Sequence, residues 1–254
     1  MDYGQRELRR GCRGPDVVEL QTRLAGFRGT LPDGDFGPAS ERQVMNFQRD
    51  YMDLPAPSGI VDRATMRALD RFADDFSIDF KALKCPCGTC RGFGRGQFKG
   101  RYQPGKAQLE AFHRYEYPGI HRMLLWAVRA VFFYLPEHKF VITSGYRCSV
   151  DNANHSRSST NHHGKAIDID IVARAGESKR DDMIKCDAAR GRIVSTANAQ
   201  IGWSAPNCKA LEPSNIAPTW IHCDVRCYEA RYLKDEAFCK TLKALNNRKP
   251  IRFR

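Results

Sequence analysis

Two short runs in the first third of the chain share one pattern, and that pattern restricts the fold more than anything else in the sequence. GDFGPAS (Gly34 to Ser40) and GIVDRAT (Gly59 to Thr65) each open on a glycine, pass through an apolar pair or near-pair, and carry a hydroxyl at the seventh position. Glycine permits a tight turn, and a helical spacing of apolar residues follows each run: Val44, Phe47 and Tyr51 after the first, Met66, Leu69 and Phe72 after the second. Asp62 is placed to cap the later helix, because its carboxylate can accept from free backbone N–H groups. Ahead of both, Val17, Leu20 and Leu24 fall on one helical face. A duplicated loop–helix element behind one further helix predicts a compact three-helix domain over residues 1–75. It holds no cluster of histidine, cysteine and carboxylate, so it reads as a binding module.

The remainder reads as α+β. RGFGRGQFKGR (residues 91–101) is rich in Gly and Arg and is expected to be flexible or loop-forming. Residues 76–105 are therefore expected to be a linker, followed by a second domain over 106–254. In that domain Ala107 to Leu135 reads mainly as helix with a break near Pro118-Gly119. Three short apolar runs follow, at Phe140–Thr143, Ala166–Val172 and Trp220–Val225, and predict strands.

Composition narrows the function classes. Hydrophobic residues make up 42% of 254, enough for packed cores. No run approaches the roughly 20 apolar residues of a membrane span, and no membrane span is expected. The start, MDYGQRELRR, lacks the apolar core of a signal peptide. The net charge of +12 draws the chain to polyanions, but the basic residues are spread out and form no recognition block, so nucleic acid is not the expected partner. Three of the ten cysteines, Cys85, Cys87 and Cys90, form CPCGTC. They permit a structural zinc site or a local disulfide; a closed zinc site wants four ligands, and this run supplies three.

Chemistry concentrates in three motifs: SGYRC (Ser144 to Cys148), STNHHGKAIDID (Ser159 to Asp170) and TWIHCDVR (Thr219 to Arg226). The second and third each combine His with Asp near a strand. Two histidines and one aspartate make a tridentate zinc set with a fourth position for water, which is the chemistry of amide hydrolysis.

The run LRRGCRGPDVVELQTRL…DGDFG…VMNFQRDY…SGIVDRATMRAL, about residues 8 to 70, resembles the peptidoglycan-binding three-helix domain of wall hydrolases, with its glycines and its LQ and FQ pairs; Asp62 stands where that family often has glycine. The order SGYR, then SxHxxGxAxD, then a strand ending in WxH or HxH resembles the D-alanyl-D-alanine carboxypeptidase-like zinc peptidases, over about residues 80 to 230. That group also includes lysostaphin-type enzymes and the hedgehog signalling fold. The resemblance implies an α+β zinc peptidase domain with a small, mainly antiparallel sheet flanked by helices. It also implies Asp168 and His222 as ligands of Zn2+ and Arg147 as the cation facing substrate, with Ser144 and Tyr146 beside it.

Two positions depart from that pattern. Asn161 holds the place of the first histidine, so the third ligand falls to His162 or His163. His162 is expected, because an even offset from Asp168 favours the same side of an extended run and a one-residue deletion would bring it into place. His163 is then expected beside the cleft as a catalytic residue. Thr219 holds the place of the usual acid; Asp224 and Glu212 are the carboxylates nearby, and Asp224 is the expected catalytic one. Asp170 and Asp224 are alternatively placed to orient the ligand histidines. The expected function is a zinc peptidase of the peptide part of bacterial peptidoglycan, acting as a monomer. Its layout resembles phage endolysins, made in the host cytoplasm and acting on the wall, with a secreted or periplasmic mature enzyme as the alternative. The competing reading is a non-catalytic wall-binding protein with a zinc-stabilised second domain.

Overall fold

The repeat in the first domain is explained by two glutamines. The computed structural model describes residues 3–96, 115–157, 160–196, 211–225 and 228–247. It places helices α1 (Pro15–Arg23), α2 (Pro38–Asp50) and α3 (Arg63–Asp75) in this domain. Gln21 on α1 accepts from the Gly34 N–H at 2.9 Å, and its amide donates to the Asp35 carbonyl and the Ser40 hydroxyl at 3.1 and 3.0 Å. Gln48 on α2 repeats the arrangement: it accepts from Gly59 N–H at 2.9 Å and donates to the Ile60 carbonyl and Thr65 hydroxyl at 2.8 and 3.1 Å. The glycine and the hydroxyl six residues later are thus the two ends of one side-chain clasp. Both amides are buried, so an unmade bond would leave a polar group unsatisfied at about 1–3 kcal/mol. Asp62 caps α3 as expected, accepting from Thr65 N–H at 2.7 Å.

The second region is α+β. Strand β1 (Ile120–His121) leads directly into α4 (Arg122–Tyr134), after an irregular stretch at Pro118-Gly119. Then follow β2 (Phe140–Ser144), α5 (Ser149–Asn154), β3 (Ala166–Ile171), α6 (Lys179–Thr196), β4 (Ile221–Asp224), two short 3-10 turns, β5 (Phe238–Cys239) and α7 (Leu242–Leu245). Strands β2, β3 and β4 form an antiparallel sheet with β3 in the middle, and β1 pairs with β5. Ile167, Ile169, Ile221 and Cys223 are fully buried on the core side of this sheet. Among the described residues no helix is long and apolar enough to cross a membrane.

The two regions share one core. Phe72 of α3 stacks on Trp126 of α4 with ring centroids 6.4 Å apart. Beside them, Glu19 of α1 is fully buried between two arginines: Arg23 Nε at 2.8 Å, and both terminal nitrogens of Arg122 at 2.9 and 2.8 Å. Arg122 opens α4, so this ion cluster ties the first domain to the second. The described part of the expected linker is also packed rather than free: Leu83, Cys85 and Phe93 are buried, and Phe93 meets the Tyr146 ring edge-on at 5.8 Å. Apolar side chains spaced among the glycines and arginines give this segment something to bury, which its composition concealed. Residues 97–105 of that linker and the 107–114 part of the expected helix lie outside the described residues.

Candidate metal centre

Strand register builds the centre. Ser144 pairs with Asp168, and Asp168 pairs with His222. Directly opposed residues point to the same face of a sheet, so β2, β3 and β4 present Ser144, Asp168 and His222 as a row. Arg147, just past β2, reaches back over it. Its Nε donates to Ser144 Oγ at 2.8 Å and its Nη2 to Asp168 Oδ2 at 2.7 Å.

His162 enters from the loop before β3. That loop is a turn, closed by Lys165 N–H on the Asn161 carbonyl at 2.9 Å and His163 N–H on the Thr160 carbonyl at 3.0 Å. Gly164 holds a φ of +113°, and a Cβ there would lie 2.5 Å from the Gly119 carbonyl oxygen. The turn therefore needs glycine, and the parity argument for an extended run does not describe it. The turn nevertheless aims His162 at the row: its Nε2 lies 3.5 Å from Asp168 Oδ1, while Nδ1 is 2.7 Å from the Gly145 carbonyl. Gly145 also makes the close approach behind the site possible, since a Cβ there would fall 2.5 Å from the Leu83 backbone.

The outer partners fix which ring nitrogens face inward. A carbonyl only accepts, so His162 Nδ1 carries the hydrogen and Nε2 presents its lone pair to Asp168. His222 is held between two carboxylates, with Nε2 2.8 Å from Asp224 Oδ2 and Nδ1 2.7 Å from Asp168 Oδ1. Burial pulls the His222 imidazole down, but the bonds to Asp168 and Asp224 outweigh it and hold it at about 9. Burial keeps His162 below the ordinary imidazole value. Burial pushes the Asp168 carboxyl up, yet the two histidines hold it well below the usual carboxylate range. One carboxylate thus faces two imidazole nitrogens, a donor set that a cation could share.

Zinc fits this donor set. The ligand atoms of His162, Asp168 and His222 lie within 4.8 Å of one another, all on buried residues. Two imidazoles and a carboxylate are the three protein ligands of an open, catalytic type of zinc site. The Gly145 carbonyl and Asp224 supply the outer acceptors that orient ligand histidines.

Other expected residues lie elsewhere. His163 does not line an opening: it is 1% exposed, with Nε2 3.3 Å from the Asn152 amide, and burial pushes it down to about 4. Tyr146 is fully buried and donates its hydroxyl to the Tyr117 carbonyl at 2.8 Å, so its ring supports the turn from the core side. Both alternate with residues that face the site, and the backbone that aims His162 and Arg147 outward turns their neighbours inward. Asp224 is fully buried and approaches His222 from the nitrogen opposite Asp168, which is an orienting position. Asp170 accepts from the Ile171 backbone N–H instead. Ser159 and Arg226 lie outside the described residues. Glu212 gains a position that its place in the sequence did not suggest. Leu211 bridges Cys223 on the outer edge of β4, so Glu212 follows directly on a contact with the strand that carries His222. The signal is a strand pairing, not a fixed offset before the histidine.

Comparison with known proteins agrees with this layout. Residues 13–69 match the family described as a putative peptidoglycan binding domain. The chain is also 26% identical over 168 residues to the zinc D-Ala-D-Ala carboxypeptidase of Streptomyces albus G; the match covers 64% of this chain and spans 60% of the length of that relative. The chain thus joins a three-helix domain that matches the putative peptidoglycan binding domain family to a region similar to the zinc D-Ala-D-Ala carboxypeptidase.

Proposed function

We propose that the protein is a zinc peptidase that hydrolyses amide bonds in the peptide part of bacterial peptidoglycan. The observation that carries this reading is the convergence of His162, Asp168 and His222 beneath Arg147. Zinc held by these three residues would supply Lewis acidity, polarising a carbonyl and acidifying water. The chain's own groups do the rest. Arg147, whose side chain is 22% exposed, offers paired N–H donors suited to a carboxylate or peptide carbonyl. Asp224 and the Gly145 carbonyl hold the two imidazoles in the orientation the metal needs. Glu212, one residue from the Leu211–Cys223 bridge on the strand of His222, is the carboxylate we assign to take a proton from the attacking water and pass it to the leaving amine. The binder-plus-cutter layout supports an endolysin-like role at the wall, with a secreted wall-remodelling enzyme as the alternative setting.

One observation favours a second reading: Thr219 stands where the resemblance calls for an acid, which suits a wall-binding protein that does not cut. Purified walls incubated with the protein, with and without chelator, separate the two. A peptidase releases new amino groups without new reducing sugar ends and stops when zinc is removed. No release from walls that the protein nevertheless binds sinks the enzymatic reading. Glu212→Gln should then lower turnover with zinc retained, and full activity in that variant removes Glu212 from its role.

The first domain is better tested in the intact chain than by deletion. Removing residues 1–75 takes Glu19 from Arg122, and breaking a buried ion cluster costs about 3–5 kcal/mol.

A further inference from the structure

We propose that Cys85, Cys87, Cys90 and Cys148 form a second, structural zinc site, separate from the His162–Asp168–His222 centre. The CPCGTC run supplies three thiolates, one short of a closed tetrahedral site. The fold supplies the fourth from a distant stretch of the chain, because Cys148 ends the SGYRC turn and the cysteine loop lies against it. All four sulfurs lie within 4.8 Å of one another, and Cys148 Sγ is 3.5 Å from Cys87 Sγ. A tetrahedron of Zn–S bonds of about 2.3 Å has edges of about 3.8 Å. Four sulfurs gathered about one point match that figure better than two separate disulfide pairs.

The backbone is arranged for thiolates as well. Cys90 N–H points to Cys87 Sγ, Gly92 N–H to Cys90 Sγ, and Cys148 N–H to Cys85 Sγ, each at 3.3 Å. Three of the four sulfurs therefore accept a main-chain hydrogen bond, which favours the charged form that binds metal. Cys85 and Cys148 are buried while Cys87 and Cys90 are half-buried, a closed setting with metal access from one side. Four thiolates leave no position for water, so the site is structural rather than catalytic. Its effect is mechanical: Cys85 N–H on the Gly92 carbonyl at 2.8 Å closes the loop, Tyr146 N–H on the Leu83 carbonyl at 2.8 Å holds it to the turn, and a metal would lock the segment that presents Arg147.

Metal content of the purified full-length protein tests this independently of any activity. The expected result is about two zinc ions per chain, falling to about one in His162→Ala and to about one in Cys90→Ser, with Cys12→Ser unchanged. Because Cys90→Ser could misfold, the parent protein is also loaded with cobalt. Tetrahedral thiolate coordination gives strong visible d–d bands and sulfur-to-cobalt charge transfer in the near ultraviolet, and these should persist in His162→Ala. A single zinc that disappears in His162→Ala overturns the proposal. So does a cobalt spectrum without charge-transfer bands, or peptide mapping without reductant that finds these four cysteines in disulfides.

Discussion

Two clusters of potential metal ligands, the histidine–aspartate centre and the four cysteines, each adjoin one five-residue turn, Ser144 to Cys148, yet they are built in opposite ways. The His162–Asp168–His222 centre stands on a sheet, and cross-strand register places two of its three members. Its nitrogens are steered from outside by a carbonyl and a carboxylate. The cysteine cluster stands on loops and is steered by backbone N–H groups pointing at sulfur. One has three ligand residues, one short of a tetrahedral set; the other supplies four. A mixed, incomplete set on rigid strands suits chemistry, and a complete soft set on loops suits holding those loops still.

The sharpest way to break this contrast is His162→Ala. Hydrolysis should fall to the level of chelator-treated protein while the thiolate–cobalt spectrum stays. If instead His163→Ala loses metal and His162→Ala keeps it, the ligand assignment is reversed. Asp224→Asn is the next largest: loss of an orienting partner should weaken zinc at the histidine centre about 10–100-fold and leave the cysteine site untouched, as competition with a chelator would measure. Gly145→Ala should disturb both centres together. Its Cβ would press on the Leu83 backbone, and overpacking of this kind costs about 1–3 kcal/mol; a denaturant titration showing no loss would mean that the loop and the turn are not coupled.

Glu116 gives the smallest effect. It accepts from Arg95 N–H at 2.8 Å and Ser149 N–H at 2.7 Å, joining the cysteine loop to the start of α5. Burial pushes its carboxyl up, but these bonds outweigh it and hold it below the ordinary 4.5. A depressed carboxyl stabilises fully above its unfolded value and loses that contribution as pH falls through the folded one. The parent should therefore lose about 1 kcal/mol more than Glu116→Gln as pH drops below 4.5. Parallel acid-melting curves for the two proteins would exclude this role.

Legibility in the sequence followed locality. The turn glycines and the helical spacings of the first domain depend on neighbours in the chain, and they were readable; the clasps by Gln21 and Gln48, which cross between helices, were not. Asp168 and His222 could be picked out because each sits in a strand-like run, although only the antiparallel pairing brings them face to face. His162 was expected from the parity of an extended segment, and the segment is a turn, so the structure places it by a different cause. Cys148 looked like the end of the SGYRC motif and Glu212 like a carboxylate at the wrong offset. Both acquire neighbours only through contacts between distant stretches of chain. Tyr146, which the resemblance sets beside Arg147, and His163, next to His162, are both buried away from the site.

The buried Glu19 cluster has a consequence for work on a solid substrate. A cutter on a loose string samples every bond within the string's length. Here α1 and α4 are locked through Glu19 and Arg122, so, on the function proposed above, wall material held by the first domain would lie at a set distance and angle from the histidine centre. The protein would act as a ruler, and the spacing of cuts would reflect the architecture of the wall more than the length of any linker.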